Sequence, residues 1–553
     1  MRAFCQLYRQ IDETTKTNAK LGALVRYFRE VAPSDGAWAV YFLCGNKPKR
    51  SLSGAAIRAW VQKRTDLPDW LIEESYQYVG DLAETVHLLA GSDALSSGCS
   101  LSKWVESCLL PLSKAKEEEA LSRLDSVWDA LPATDRFVAL KMITGGFRVG
   151  VSRGLVTRAL SVAFEIPPEH VAHRLMGNWE PSEEYFRRLA SPASSSSFEG
   201  QPFPFSLANA LDSDPAVLGV PSEYLVEWKW DGIRAQAIRR GGEFYLWSRG
   251  EERIEEQFPD VSQSLAGLPD GTVLDGELLA WQDGRPMPFH AMQRRLGRRK
   301  VGRKLLAEVP VRFVAFDLLE KEGRDVRDQP LEWRREELER LLKAVQNPHG
   351  LQTTTVPSCT VPSWQISPIV PGDSWDAIAQ ARQEARKIEA EGLVLKRKSS
   401  PYSGGRTKGV WWKWKVAPWT FDAVLLYAQR GHGRRASLYT DFTFAVWDGD
   451  HLVPCAKAYS GLTDDELRTV DRFVRENTQE KFGPVRSVAP KLVMELACEG
   501  IQPSSRHKSG VAVRFPRILR LRMDKTPDMA DTLDSLKQRI VDREGATEDN
   551  ENA

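Results

Sequence analysis

The chain has 553 residues, 42% hydrophobic and 27% charged, with 76 Lys+Arg against 75 Asp+Glu and a formal net charge of +1. A chain of that length and apolar content builds two to four domains, which excludes global disorder; the balanced charge excludes a uniformly basic protein but not local basic surfaces. The seven cysteines include no Cys-x-x-Cys pair, which argues against a structural zinc site and for reduced thiols.

The opening "MRAFCQLYRQIDETTK" is charged throughout and is no secretory signal. The apolar run "GAWAVYFLCG" is too short for a bilayer and predicts a buried helix. The chain therefore reads as soluble and intracellular. "AKLGALVRYFREV", "LIEESYQYVGDLAETVHLLAG", "KEEEALSRLDSVWDAL" and "DRFVALKMI" all repeat apolar residues at helical spacing, so residues 1 to about 190 predict an all-α region. "TGGFRVGVSRGLVTRAL" breaks one helix at a Gly pair and starts another after Ser152, a natural N-cap. "ASPASSSSFEGQPFPF" reads as an exposed linker and a domain boundary.

From about residue 220 the pattern shortens to β-like runs, with Gly241-Gly242 signalling a hairpin and helical patches such as "PLEWRREELERLLKAV" between them. That mixture predicts an α+β region on antiparallel sheet. Residues 347–363 read as an exposed loop. Beyond Pro418, "TFDAVLLYAQ", "LYTDFTFAVWDG" and "HLVPCAKAYSG" predict strands of a small barrel, and Thr463 with Glu466 predicts a capping box. The last residues are polar and predict disorder from 541 to 553.

The chemistry concentrates in "EWKWDGIR", residues 227–234. A lysine is a nucleophile only when neutral, and at a pKa of about 10.4 well under ~1% of the amine is neutral at pH 7. Strand alternation puts Trp228 and Trp230 on the face opposite Lys229, so they need not shield the amine. Lys-x-Asp-Gly-x-Arg alone occurs by chance in roughly one in a hundred chains of this length. Here it is followed in order by "SRGEE", "DGEL", "FDLL", "EGLVLK", "WKWK" and "RFPRILRLRMDK". Taken singly, each has a plainer reading as a surface acid, a core aromatic or a solvated basic strand. Together they supply the carboxylates, cations and aromatic face that a nucleoside triphosphate requires. No G-x-x-x-x-G-K-[ST] is present, which removes a P-loop ATPase.

With these motifs in this order the chain resembles the covalent nucleotidyltransferases, most closely the ATP-dependent DNA ligases. "TGGFRVGVS" is similar to that family's DNA-binding module. "DETTKTNAKLGALVRYF" with "AWAVYFLCG" is similar to a bacterial group associated with a helicase and a nuclease. The resemblance implies an α-helical DNA-binding domain (1–200), an α+β adenylation domain (201–417), an OB-fold β-barrel (418–540) and a polar tail (541–553). It implies a monomeric, cytoplasmic, nucleoid-associated enzyme using ATP and Mg²⁺, with Mn²⁺ as a substitute. That enzyme seals nicked duplex DNA in repair, with a helicase and a nuclease as partners.

By resemblance Lys229 takes AMP from ATP, and Glu227 reads the adenine edge. Phe316 stacks on the base, and Arg234 and Arg249 contact ribose and phosphate. Glu277 and Glu391 bind ribose or metal. Lys413 and Lys415 engage the α-phosphate, with Arg406 and Lys408 as weaker contacts. Arg522, Asp524 and Lys525 orient pyrophosphate within a basic segment that also holds Arg514, Arg517 and Arg520. Arg148 and Arg153 contact DNA, as does the basic run at 294–304. The competing readings are an RNA ligase or capping-type enzyme sharing Lys-x-Asp-Gly, and a non-catalytic DNA-binding protein with a decayed site.

Overall fold

The computed structural model describes the chain except residues 50–51, 80, 91–98, 148, 178, 192–199, 299–300, 347–362, 432–437, 483–484 and 549–553. The chain forms two compact units. One comprises Met1–Ile166, Glu180–Pro192 and Pro418–Glu548, the other Pro167–Trp179 and Ala193–Ala417.

The first 190 residues are helical, as the apolar spacing predicts. Helix Pro33–Leu43, from the run "PSDGAWAVYFL", opens on a proline and buries seven of its eleven residues. Its Gly36 admits the ring of Phe186, on helix Glu183–Leu189; a Cβ there would lie 2.5 Å from Cζ. The stretch "LIEESYQYVGDLAETVHLLAG" holds two helices, Asp69–Val79 and Leu82–Leu89. Asp81 caps the second, its Oδ1 accepting from the Glu84 amide at 2.9 Å. Ser152 caps helix Arg153–Phe164 by accepting from the Leu155 amide at 3.2 Å. The glycine loop before it is held by Lys20, whose Nζ donates to the Val149 and Gly150 carbonyls at 3.1 Å each.

The second unit contains β1 (Asn209–Ala210), β2 (Tyr224–Trp230), β3 (Ile233–Arg240), β4 (Glu243–Ser248), β5 (Thr272–Gln282), β6 (Arg285–Pro286), β7 (Val311–Lys321), β8 (Arg324–Asp325), β9 (Trp364–Ile366), β10 (Ala390–Arg397) and β11 (Trp411–Lys415). They form a four-stranded sheet, order β1-β11-β10-β2, and a seven-stranded sheet along β4-β3-β5-β7-β8, with β6 on β5 and β9 on β7. The pairings are antiparallel except β1–β11 and β7–β9. Gly241 and Gly242, both at positive φ, turn the β3–β4 hairpin as predicted. The larger sheet packs Leu274, Leu278 and Phe313 with Val261 and Leu265 of helix Pro259–Leu265 and Leu338 of helix Leu331–Gln346. Against the smaller sheet, Trp228 and Trp414 pack with Ile378 of helix Trp375–Gln383.

After Pro418 come β12 (Trp419–Arg430), β13 (Tyr439–Asp448), β14 (His451–Ala458), β15 (Thr478–Phe482), β16 (Val485–Val488), β17 (Val493–Cys498), β18 (Gly500–Pro503), β19 (Val511–Arg514) and β20 (Arg517–Leu521). They pair as a seven-stranded antiparallel sheet and a two-stranded β18–β19 ladder. Helix Asp464–Glu476 begins with the expected Thr463–Glu466 capping box and buries Leu467, Val470 and Val474 against that sheet's apolar residues. Helix Leu533–Glu548 runs through the first eight residues of the segment read as a disordered tail. Its apolar Leu533 and Leu536 are anchored in the same core, and that packing carries the helix into a polar stretch. The loop read at 347–363 lies almost wholly outside the described residues, as does half of the Ser/Pro-rich linker (192–199); the linker's described end is not exposed as expected, since Phe203 and Phe205 are buried. Among the described residues no helix is long and apolar enough to cross a membrane.

Candidate active site

Lys229 is the penultimate residue of β2, opposite an irregularity in β10. Trp228 pairs with Leu393 and Trp230 with Ala390, so Glu391 and Gly392 together oppose Lys229. This is a β-bulge, two residues against one. It brings the Glu391 carboxylate 2.7 Å from Lys229 Nζ and 3.1 Å from Lys415 Nζ, on the same oxygen. On the other side of β10, Gly392 faces Lys415 and Val394 faces Lys413, so the two lysines share a face at strand period. Gly392 is required there: at φ 138°, a Cβ would sit 2.4 Å from the Trp414 carbonyl oxygen and 2.7 Å from Lys415 Cα. Burial raises the Glu391 carboxyl, but Lys229 and Lys415 outweigh it and hold the group below its ordinary range. Burial also lowers Lys413, and the charges of Lys415, Lys229 and Arg406 lower it further.

Beyond Lys229 the chain passes through Asp231-Gly232 from the smaller sheet into β3 of the larger one. A Cβ on Gly232 would meet the Leu278 carbonyl oxygen at 2.4 Å and Glu277 Cγ at 2.8 Å. The bare glycine thus lets Glu277 on β5 approach the strand that carries Lys229. Burial pushes the Glu277 carboxyl up to about 7; Lys229 and Arg234 oppose this, while Glu391 and Asp275 add to it. Gly276 makes the same allowance on the other side, where a Cβ would lie 2.5 Å from Phe313 Cζ and 2.7 Å from the Val314 oxygen.

Glu227, two residues before Lys229 and on its face, is enclosed. Its side chain is 2% exposed, Arg335 Nη1 donates to Oε1 at 2.8 Å, and Lys396 Nζ pairs with Oε2. Lys396 also stands 4.1 Å from the centroid of the Phe316 ring and 4.5 Å from that of Trp411. Arg234 is largely committed inside the protein. It grips Asp275 through two nitrogens, donates to the Ser206 carbonyl at 2.6 Å, and lies over the rings of Phe205, Phe316 and Trp411. Asp275 in turn accepts from the Tyr402 hydroxyl at 2.5 Å. Asp275, Arg335, Lys396 and Tyr402 are site residues that the motif reading passed over.

An amine, two carboxylates and two further cations gathered from separated motifs are what a nucleotidyl transfer needs, and comparison with known proteins agrees. Three family models match in order: "DNA ligase N terminus" over residues 1–161, "ATP dependent DNA ligase domain" over 206–415 and "ATP dependent DNA ligase C terminal region" over 435–525. A probable DNA ligase of Koribacter versatilis is 31% identical over 97% of this chain and 96% of its own length. The chain belongs to the ATP-dependent DNA ligases. A probable DNA ligase of Opitutus terrae is 36% identical over 71% of this chain, a match spanning 44% of that longer relative. A solved chain named Pmar-Lig_PreS3 shares the fold, with a TM-score of 0.63 at 12% identity, covering 94% of this chain and 99% of that one.

Arg249 and Arg406 of the ligase adjoin the group around Lys229: the Arg249 amide donates to the Arg234 carbonyl at 2.9 Å, and the Arg406 charge acts on Lys413. Arg249, Arg406 and Lys408 are exposed. Arg153 opens its helix beside Cys44, and Arg148 lies outside the described residues. Arg522, Asp524 and Lys525 belong to the C-terminal sheet region, where they are gathered around Asp422 of β12. Arg522 donates to both Asp422 oxygens and to Asp524, and Lys525 pairs with Asp422. In the same segment Arg520 pairs with Glu495 and Arg517 with Glu499. The basic run at 294–304 needs a correction. Arg295 is fully buried, donating to Asp260, Gln257 and Val309, so it does not track DNA. Arg294 is paired with Glu308, and Lys304 is open to solvent.

Among the described residues no cluster of three or more His, Cys, Asp or Glu forms a metal cage. Mg²⁺ needs none, because it is commonly held by one or two carboxylates together with substrate phosphates and water. Glu277 and Glu391, both partly buried beside Lys229, fit that donor set.

Proposed function

We propose that Lys229 is the nucleophile that accepts AMP from ATP, and that the adenylate passes to the 5′-phosphate of a DNA nick before the strand is sealed. The observation that carries this is the grouping of Lys229, Glu391 and Lys415 within ion-pair distance, with Glu277 coupled to the same charges. Lys229 Nζ bonds to the α-phosphorus as the bond to the β-phosphate oxygen breaks, pyrophosphate leaves, and the amine proton goes to solvent. Transfer to the nick regenerates the lysine, and the 3′-hydroxyl then displaces AMP to form the phosphodiester.

Lys229 attacks only when uncharged, and in the structure its amine is ion-paired with Glu391 at 2.7 Å. Glu277 and Glu391 would hold Mg²⁺, which supplies charge neutralisation on the phosphate oxygens. Lys413 and Lys415 neutralise charge developing at the α-phosphate. Glu227 reads the adenine edge beside Phe316, with Arg234 fixing that wall of the pocket. Arg249, Arg406 and Lys408 reach the nucleotide from the exposed rim. Arg522, Asp524 and Lys525 orient pyrophosphate from an OB-type C-terminal module, and Arg148 and Arg153 contact DNA phosphates. The resemblance of the N-terminal segment to the helicase- and nuclease-associated group supports a role in repair with such partners.

The test is intact-mass spectrometry after incubation with ATP and Mg²⁺. Wild type is expected to gain one AMP and Lys229→Ala none. An adduct undiminished in the variant would overturn the assignment.

A further inference from the structure

Glu227 is the end of a closed circuit of contacts. Arg335, on helix Leu331–Gln346, donates to Glu227 through Nη1 and to the Ser367 carbonyl through Nη2 at 2.9 Å. The Ser367 amide donates to the Ala315 carbonyl at 2.7 Å, one residue from Phe316 on β7. The Ser367 hydroxyl accepts from Trp230 Nε1 at 3.2 Å, at the end of the nucleophile's own strand. From Phe316 the circuit returns through Lys396, whose ammonium lies 4.1 Å from that ring's centroid and pairs with Glu227. The carboxylate and the ring proposed to read and stack the base are thus tied to each other twice, once through Arg335 and Ser367, once through Lys396. Lys396 and Arg335 have little room to serve otherwise, with side chains 3% and 9% exposed.

We infer that Lys396 and Arg335 are positioning residues that set the enzyme's choice of nucleobase, by fixing the Glu227 carboxylate relative to the Phe316 ring. The inference rests on the proposed roles of Glu227 and Phe316. A carboxylate accepts from the exocyclic amine of adenine and repels the carbonyl that guanine carries at the same position, but only while it is held in place. With Lys396 gone, Glu227 keeps one cation and loses the more direct of its two links to the ring. It can then turn from the base edge, and discrimination falls. Burial opposes the Lys396 charge while Glu227 and Asp317 favour it, so the ammonium's place depends on these carboxylates.

The test compares adenylation of wild type, Lys396→Met and Lys396→Arg with ATP and with GTP, reading KM and kcat for each by AMP or GMP transfer to the protein. Lys396→Met is expected to raise KM for ATP about 10-fold or more and to shrink the ATP-to-GTP preference by a similar factor, with a smaller change in kcat. Lys396→Arg, which keeps the charge, is expected to retain most of the preference. Should Lys396→Met fail to fold by circular dichroism, Arg335→Lys is read in its place, with the same loss of preference expected. An ATP-to-GTP preference unchanged in the variant, whatever its rate, overturns the inference. Absence of any adduct on wild type overturns the proposed function instead, and the two failures are read on different proteins.

Discussion

The Glu391 carboxylate lies 2.7 Å from the Lys229 amine because two residues of β10 oppose one residue of β2. The same oxygen reaches Lys415 at 3.1 Å, so a single acid organises two cations from two other strands. Glu391→Gln keeps the shape and removes the charge. Adenylation, followed by the rate of the AMP adduct, is expected to fall about 100-fold or more, through loss of the proposed metal ligand and of lysine placement. A wild-type rate in this variant would exclude Glu391 from the reaction.

Glu277 makes stability depend on pH in a stated direction. Its carboxyl is raised from an ordinary 4.5 to about 7, so between those values the folded chain holds a proton that the unfolded chain has lost. The associated stability is fully present below about pH 4.5 and is lost as pH rises through about 7. Glu277→Gln has no such proton. Relative to wild type it is expected to gain up to about 3 kcal/mol between about pH 4.5 and about pH 8, read by denaturant titration. A stability difference that stays flat across that window would contradict the burial effect.

Gly392→Ala places a methyl 2.4 Å from the Trp414 carbonyl oxygen at a φ of 138°. The backbone must move, and the loss is expected at about 1–3 kcal/mol, with adenylation falling as the bulge shifts. Gly302→Ala is the control, because nothing lies within 4 Å of its Cβ position and its φ is unexceptional. Its melting temperature should match wild type, and equal melting of both variants would remove the steric argument.

Arg295 and Lys304 belong to one basic run and are expected to behave oppositely. Arg295→Met leaves Asp260 without its buried partner and should cost about 3–5 kcal/mol. Lys304, 91% exposed, should leave stability untouched when changed to Ala. It should instead weaken nicked-duplex binding and flatten the salt dependence by about one unit of slope. An unchanged slope would take Lys304 out of the DNA contacts.

What the sequence made legible was local. Lys413 and Lys415 alternate with tryptophans at strand period, so their common face could be read directly, as could the Ser152 cap, the Gly241-Gly242 turn and the Thr463 capping box. The partners of Glu227 could not. Arg335 is 108 residues away on a helix whose other arginines look the same in sequence, and only tertiary packing selects it. Arg295 was hidden for the same reason among neighbours of equal charge. Asp422 sits in an apolar strand run and shows no sign of the cations it gathers until β12, β17 and β20 are laid side by side. Periodicity reports which face a residue occupies; it does not report what a distant segment brings to that face.

Gly232, Gly276 and Gly392 stand beside Asp231, Glu277 and Glu391 in the motif segments, and at each a methyl group would strike main-chain atoms of a neighbouring strand. An attempt to transplant the reactive side chains alone onto a foreign scaffold would therefore stall. The acids would arrive with their strands held too far apart to share a substrate. The graft must import the three gaps along with the charges.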